Sequence, residues 1–111
     1  MRATPTLSDG IHLIVKHDCP TCVLIEPVIA QLSASDLQLT VYSQDNPAFP
    51  EVHGVVDDAD LAVSWHHNIE TVPTLLRVEA GVETARIVGW ERSQWEAFTA
   101  QSHLAPGIAG Y

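Results

Sequence analysis

Residues 11–29 read Ile11-His12-Leu13-Ile14-Val15-Lys16-His17-Asp18-Cys19-Pro20-Thr21-Cys22-Val23-Leu24-Ile25-Glu26-Pro27-Val28-Ile29, and the architecture turns on them. The run Ile11 to Lys16 is short and apolar, bounded by Asp9-Gly10 and by the cysteine pair, which predicts a buried strand. From Pro20 to Ser33 the pattern is helical: Val28, Ile29 and Leu32 follow Leu24 and Ile25 at helical spacings, leaving Glu26 and Gln31 for water. Pro27 removes one backbone hydrogen bond from this helix and is expected to kink it. The pair Cys19-Pro20-Thr21-Cys22 therefore falls where a strand passes into a helix. There, unpaired N–H groups and the positive end of the helix dipole favour a Cys19 thiolate. Pro20 suits the first helical position, having no N–H to leave unpaired. Cys22, one turn along, is within reach of a mixed disulfide formed at Cys19. By itself a C-x-x-C pattern also serves metal sites; the placement after a strand is what narrows it.

On either side the chain continues in the same alternation. Leu37, Leu39 and Val41 alternate with Gln38, Thr40 and Tyr42, a second strand. Asn46 to Asp57 is irregular, broken by Pro47, Pro50 and Gly54. Asp57 or Asp58 is placed to cap a helix over Ala59 to Asn68, with Leu61, Ala62 and Trp65 as its expected buried stripe. Thr74 to Glu79 and Val82 to Val88 read as strands joined by a tight Ala80-Gly81 hairpin. Glu91 to Ser102 reads as a closing helix anchored by Trp95 and Phe98, and the tail 103–111 is expected to be frayed. The order predicts one α/β domain over residues 1–111, with its core at about 11–102. Its sheet is expected to be mixed and four-stranded, with helices on both faces.

The 111 residues carry 5 basic and 14 acidic side chains, a formal charge of −9, with Lys16 the single lysine. Such a surface lacks the clustered cations that nucleic-acid binding needs, and anionic lipid repels it; neither partner is expected. A hydrophobic fraction of 46% suits a packed globule. The two cysteines are too few and too close together for a disulfide-stapled secreted scaffold. Met1 to Gly10 has no apolar segment of signal type, and no run is long enough to cross a membrane. The cytoplasm, where thiols stay reduced, is the expected compartment.

From residue 11 to 102 the chain resembles the thioredoxin superfamily. The Cys-Pro-Thr-Cys motif follows the first strand, Pro27 stands where a helix-kinking proline is found, and Gly89 follows the last strand. Thr71-Val72-Pro73-Thr74 is similar to the family's cis-proline loop, which offers a backbone edge to substrate. The resemblance implies Cys19 as nucleophile, Cys22 as resolving thiol, Pro73 as the cis residue and Val72 as a substrate-binding position. It also implies a thiol–disulfide oxidoreductase that reduces disulfide-bearing proteins, needs no cofactor of its own and works as a monomer. A flavoprotein reductase or a low-molecular-weight thiol would regenerate it.

The departures from the family are specific. Asp18, not tryptophan, precedes Cys19, and Pro20-Thr21 fills the motif. Thioredoxins carry a buried acid six residues before the nucleophile; Leu13 stands there, which leaves Glu26 as the candidate proton relay for Cys22. His17 favours the Cys19 thiolate when protonated, while Asp18 opposes it. The segment 46–57 resembles an insertion, read here as an inert surface loop. The motif, Thr71-Val72-Pro73 and Lys16 also resemble glutaredoxin. Gly89-Trp90-Glu91-Arg92 departs from the glutathione-binding pattern, so this alternative ranks below the first. A noncatalytic interaction module on the same fold is the other alternative. Adjacent His66-His67 diverge, so no metal site is expected.

Overall fold

A computed structural model describes residues 7–110; residues 1–6 of the polar N-terminal stretch and Tyr111 of the tail lie outside the described residues. The elements are β1 (Gly10–Val15), α1 (Pro20–Leu24), α2 (Glu26–Ser33), β2 (Leu39–Ser43), β3 (Val56–Asp57), α3 (Ala62–His66), β4 (Thr74–Glu79), β5 (Val82–Val88) and α4 (Arg92–Thr99). They form one mixed sheet in the order β3-β2-β1-β4-β5. Parallel pairing joins β1 to β2 and β2 to β3, and antiparallel pairing joins β1 to β4 and β4 to β5. The expected sheet had four strands. The fifth, β3, is two residues at the end of the irregular segment, too short to leave a periodic signal.

Successive side chains of a strand point to opposite faces, so β1, central in the sheet, feeds two cores. Ile11, Leu13 and Val15 pack with Cys22, Ile25, Val28, Ile29 and Leu32 of the α1–α2 region and with Trp95 of α4. Ile14 packs on the other face with Tyr42, Ile69, Leu76 and Val78, against Val63 of α3. The long first helix breaks at Ile25 (φ −89°, ψ 7°), because Pro27 has no N–H to continue the ladder. Burying a side chain such as Leu13 or Trp95 contributes on the order of 2 kcal/mol each.

Three expectations fail here. Trp65 is not core: its side chain is 76% exposed, and Leu61 is exposed beside it. The reason is Asp58, a buried carboxylate that accepts from Val63 N, Ser64 N and the Ser64 hydroxyl. That cluster turns Ser64 inward, and α3 is only five residues long, so the Trp65 edge faces water. The tail, expected to be frayed, is held in place. The Arg92 guanidinium donates to the carbonyls of Leu104, Ala105 and Ile108, Leu104 is fully buried, and the Trp90 indole donates to Ala109 O at 2.7 Å. At Gly110 the approach is so close that a Cβ would collide with the Arg92 guanidinium. Nor is the 46–57 segment inert, since Phe49 is buried in the same core as Cys22. Among the described residues, no helix is long and apolar enough to cross a membrane.

Candidate active site

The parallel β1–β2 pair ends with Ser43 beside Val15, and the chain turns from β1 into α1 over Lys16–Asp18. Cys19 is the residue that caps α1. Its backbone is extended (φ −155°, ψ 108°), Pro20 opens the helix, and the Cys19 sulfur accepts from Cys22 N at 3.2 Å. That bond is the local expression of an unfilled helix N-terminus: a sulfur, rather than a serine or aspartate oxygen, takes the free N–H. The Cys19 thiol in turn donates toward Val72 O, 3.9 Å away. The Val72–Pro73 peptide is cis, and Pro73 O accepts from Gly89 N at 2.8 Å, tying this loop to the end of β5. Cys19, Cys22, Val72, Pro73 and Gly89 thus meet at one corner of the molecule.

The two thiols are unlinked and sit in different surroundings. Cys19 is half-buried, and Cys22 has no exposed surface. Burial pushes the Cys22 thiol up to about 12, helped by its hydrogen bond to Cys19; the Lys16 backbone and ammonium oppose the rise. Lys16 is therefore the charged side chain that favours a Cys22 thiolate. Glu26, proposed from the sequence as a relay, is aimed elsewhere: its carboxylate accepts from Glu51 N at 3.0 Å, across to the 46–57 segment. Leu13, on the β1 face toward Cys22, is fully buried. Thr21 contributes its carbonyl to Ile25 N and is half-buried.

His17 and Asp18 are exposed. The His17 ring stands edge-on to Phe49, centroids 5.2 Å apart, and both backbone amides are held by Asp45. Burial pushes the Asp45 carboxyl up, yet the bonds from Asp18, His17 and Asn46 and from the Ser43 hydroxyl outweigh it, leaving Asp45 below the usual carboxylate range. Asp45 and Phe49 were missed in the sequence. The available signal was a phenylalanine between two prolines in an otherwise polar stretch, directly after a strand. His66 packs against Trp65, and among the described residues no group of three or more His, Cys, Asp or Glu side chains could hold a metal ion.

No model of a known protein family and no curated protein sequence matches the chain. Solved structures do. Thioredoxin O2 of Arabidopsis thaliana is 27% identical with a TM-score of 0.56, over 84% of this chain and 73% of that one. The thioredoxin pre-protein of Schistosoma mansoni aligns with a TM-score of 0.59 at 17% identity, over 83% and 78% of the two chains. The thioredoxin of Malassezia sympodialis aligns at 0.54 and 22% identity, over 83% and 76%. The latter two likenesses are of fold alone.

Proposed function

From a chain that its fold places in the thioredoxin superfamily, we propose a thiol–disulfide oxidoreductase that reduces disulfides in proteins. One observation carries the reading: a half-exposed Cys19 caps α1 with the Cys22 amide on its sulfur, while Cys22 lies buried behind it, one turn along. In that arrangement the Cys19 thiolate attacks one sulfur of a substrate disulfide. The substrate S–S bond breaks, a Cys19–substrate mixed disulfide forms, and the departing sulfur takes up a proton. Cys22 then loses its proton and attacks Cys19 Sγ, closing the Cys19–Cys22 bond and releasing the second substrate thiol. The substrate gains two electrons and two protons, and the enzyme pair loses them.

Val72 O and N–H, at the edge beside Cys19, are proposed to pair with the substrate backbone. Lys16 is proposed to assist the second step, since its ammonium favours the Cys22 thiolate. Return to the dithiol requires two electrons from a flavoprotein reductase or a low-molecular-weight thiol. The cytoplasm is the proposed compartment, because it keeps such a pair reduced. Equilibration of the Cys19–Cys22 pair with glutathione buffers tests the direction. A potential near about −270 mV is expected for a reductase, and one near about −120 mV would replace this reading with an oxidant.

A further inference from the structure

Asp45 stands two residues beyond the last β1–β2 register pair, Val15 and Ser43, and Gln44 N still bonds Val15 O at 2.9 Å. The parallel strands therefore bring Asp45 alongside the turn that leaves β1. Its two oxygens are used separately: Oδ1 accepts from His17 N at 2.8 Å and Oδ2 from Asp18 N at 2.9 Å. The Ser43 hydroxyl donates to Oδ1 at 3.4 Å, and that hydroxyl itself accepts from Asn46 N, which holds the carboxylate's own backbone. The clamped turn connects directly to the nucleophile, because Cys19 N donates to His17 O at 2.8 Å. Phe49, buried beneath, supports the same turn through the His17 ring.

We infer that Asp45 is a positioning residue of the dithiol site: by holding the consecutive amides of His17 and Asp18 it fixes the backbone that sets Cys19 at the mouth of α1. The inference concerns the site read above as a reductase centre. Asp45 touches neither sulfur and acts through the turn.

A carboxylate near a thiol has a second, opposite effect, and this makes the inference testable. The charged and titratable groups at this corner are Lys16, His17, Asp18 and Asp45, with the Cys22 thiol beneath. As a bare negative charge, Asp45 would disfavour a neighbouring thiolate, so its removal would speed alkylation of Cys19. As a clamp, it aligns Cys19 with the helix N-terminus, so its removal slows alkylation. The experiment is mass-mapped iodoacetamide labelling of the full-length reduced chain over a pH series, comparing wild type with Asp45→Asn and Asp45→Ala. Asp45→Asn keeps the size but offers one acceptor oxygen instead of two, and it carries the test where Asp45→Ala fails to fold.

Cys19 labelling at neutral pH is expected to slow about two- to fivefold in either variant, the span of a helix-terminus charge interaction. The half-point of the profile is expected to move to higher pH. Faster labelling, or a profile left in place while only the melting temperature drops, overturns the inference. Alkylation requires no disulfide turnover, so a wild-type protein that fails to reduce disulfides would sink the reductase reading and leave this result standing.

Discussion

His12 and Leu13 are neighbours in β1, and the two faces they serve are chemically opposite. The Leu13 face is apolar around its centre and encloses Cys22, Ile25 and Trp95, and burial there pushes the Cys22 thiol up to about 12. The His12 face carries a buried polar chain. Nε2 of His12 bonds Ser8 O at 2.6 Å and Nδ1 bonds the Tyr42 hydroxyl at 2.8 Å. A carbonyl can only accept, so the neutral ring carries its proton on Nε2 and Tyr42 donates to Nδ1. Tyr42 also rises to about 12, through burial and then the nearby Asp58 charge. A strand period of two has thus put the proton-carrying side chains on the side away from the thiols. Thioredoxins place an acid where Leu13 lies; here, among the described residues, the Lys16 ammonium is the charge that favours a Cys22 thiolate.

The largest expected effect tests the reactive side of that contrast. Cys19→Ser should abolish disulfide reduction, whereas Cys22→Ser should retain the first attack and accumulate a mixed disulfide visible by intact mass. Absence of any adduct with a disulfide substrate would show that the two thiols do not divide the work in this way. Next in size, Leu13→Ala should lower the unfolding free energy by about 2–5 kcal/mol in denaturant titration, because a fully buried leucine leaves a cavity at the centre of the sheet. A loss under about 1 kcal/mol would mean that the Leu13 face is more yielding than its packing implies.

On the opposite face, His12→Phe keeps the volume but leaves the buried Tyr42 hydroxyl without its acceptor. The expected cost is about 1–3 kcal/mol, and Tyr42→Phe in the same background should recover part of it. Additive losses in that double-mutant cycle would show that the pair is not coupled. The smallest effect is shared by both faces. Cys22 and Tyr42 ionise above pH about 9 in the unfolded chain yet remain protonated in the folded one up to about pH 12. The unfolded state then binds fewer protons, so stability falls as pH rises through that window. Denaturation midpoints between pH 8 and 11, on the order of the range tested, should decline with a slope that Cys22→Ser and Tyr42→Phe each reduce. A flat profile would mean that the groups ionise alike in both states.

The fold was legible wherever a local rule repeats over several residues. The apolar run of β1, the alternation of β2 and the Ala80-Gly81 hairpin are each visible in sequence and each present in the structure. The proline-broken helix was also visible, although the break is complete rather than a bend. The site was legible in part. Spacing and placement singled out Cys19 and Cys22, while the roles expected of them and the Val72-Pro73 loop came from the family resemblance. Glu26 was chosen because it lies one turn after Cys22; an acceptor's neighbours across the fold, here Glu51 N, determine where its carboxylate points.

Residues 11–29 contain the strand, the helix start, the helix break and both thiols within one contiguous stretch, because each depends on neighbours no more than about a turn away. Which thiol is buried, which charge reaches it and what holds the turn before it depend on residues brought from β2, from the 45–51 segment and from the loop before β4. Asp45 and Phe49 act on His17 from about thirty residues away in sequence, and no periodic pattern records that pairing. Trp65 shows the same limit from the other side: its hydrophobicity argued for the core, but the carboxylate of Asp58 recruited Ser64 instead. Those bonds span only six residues, yet once buried they outweigh the hydrophobic preference of one exposed helix turn.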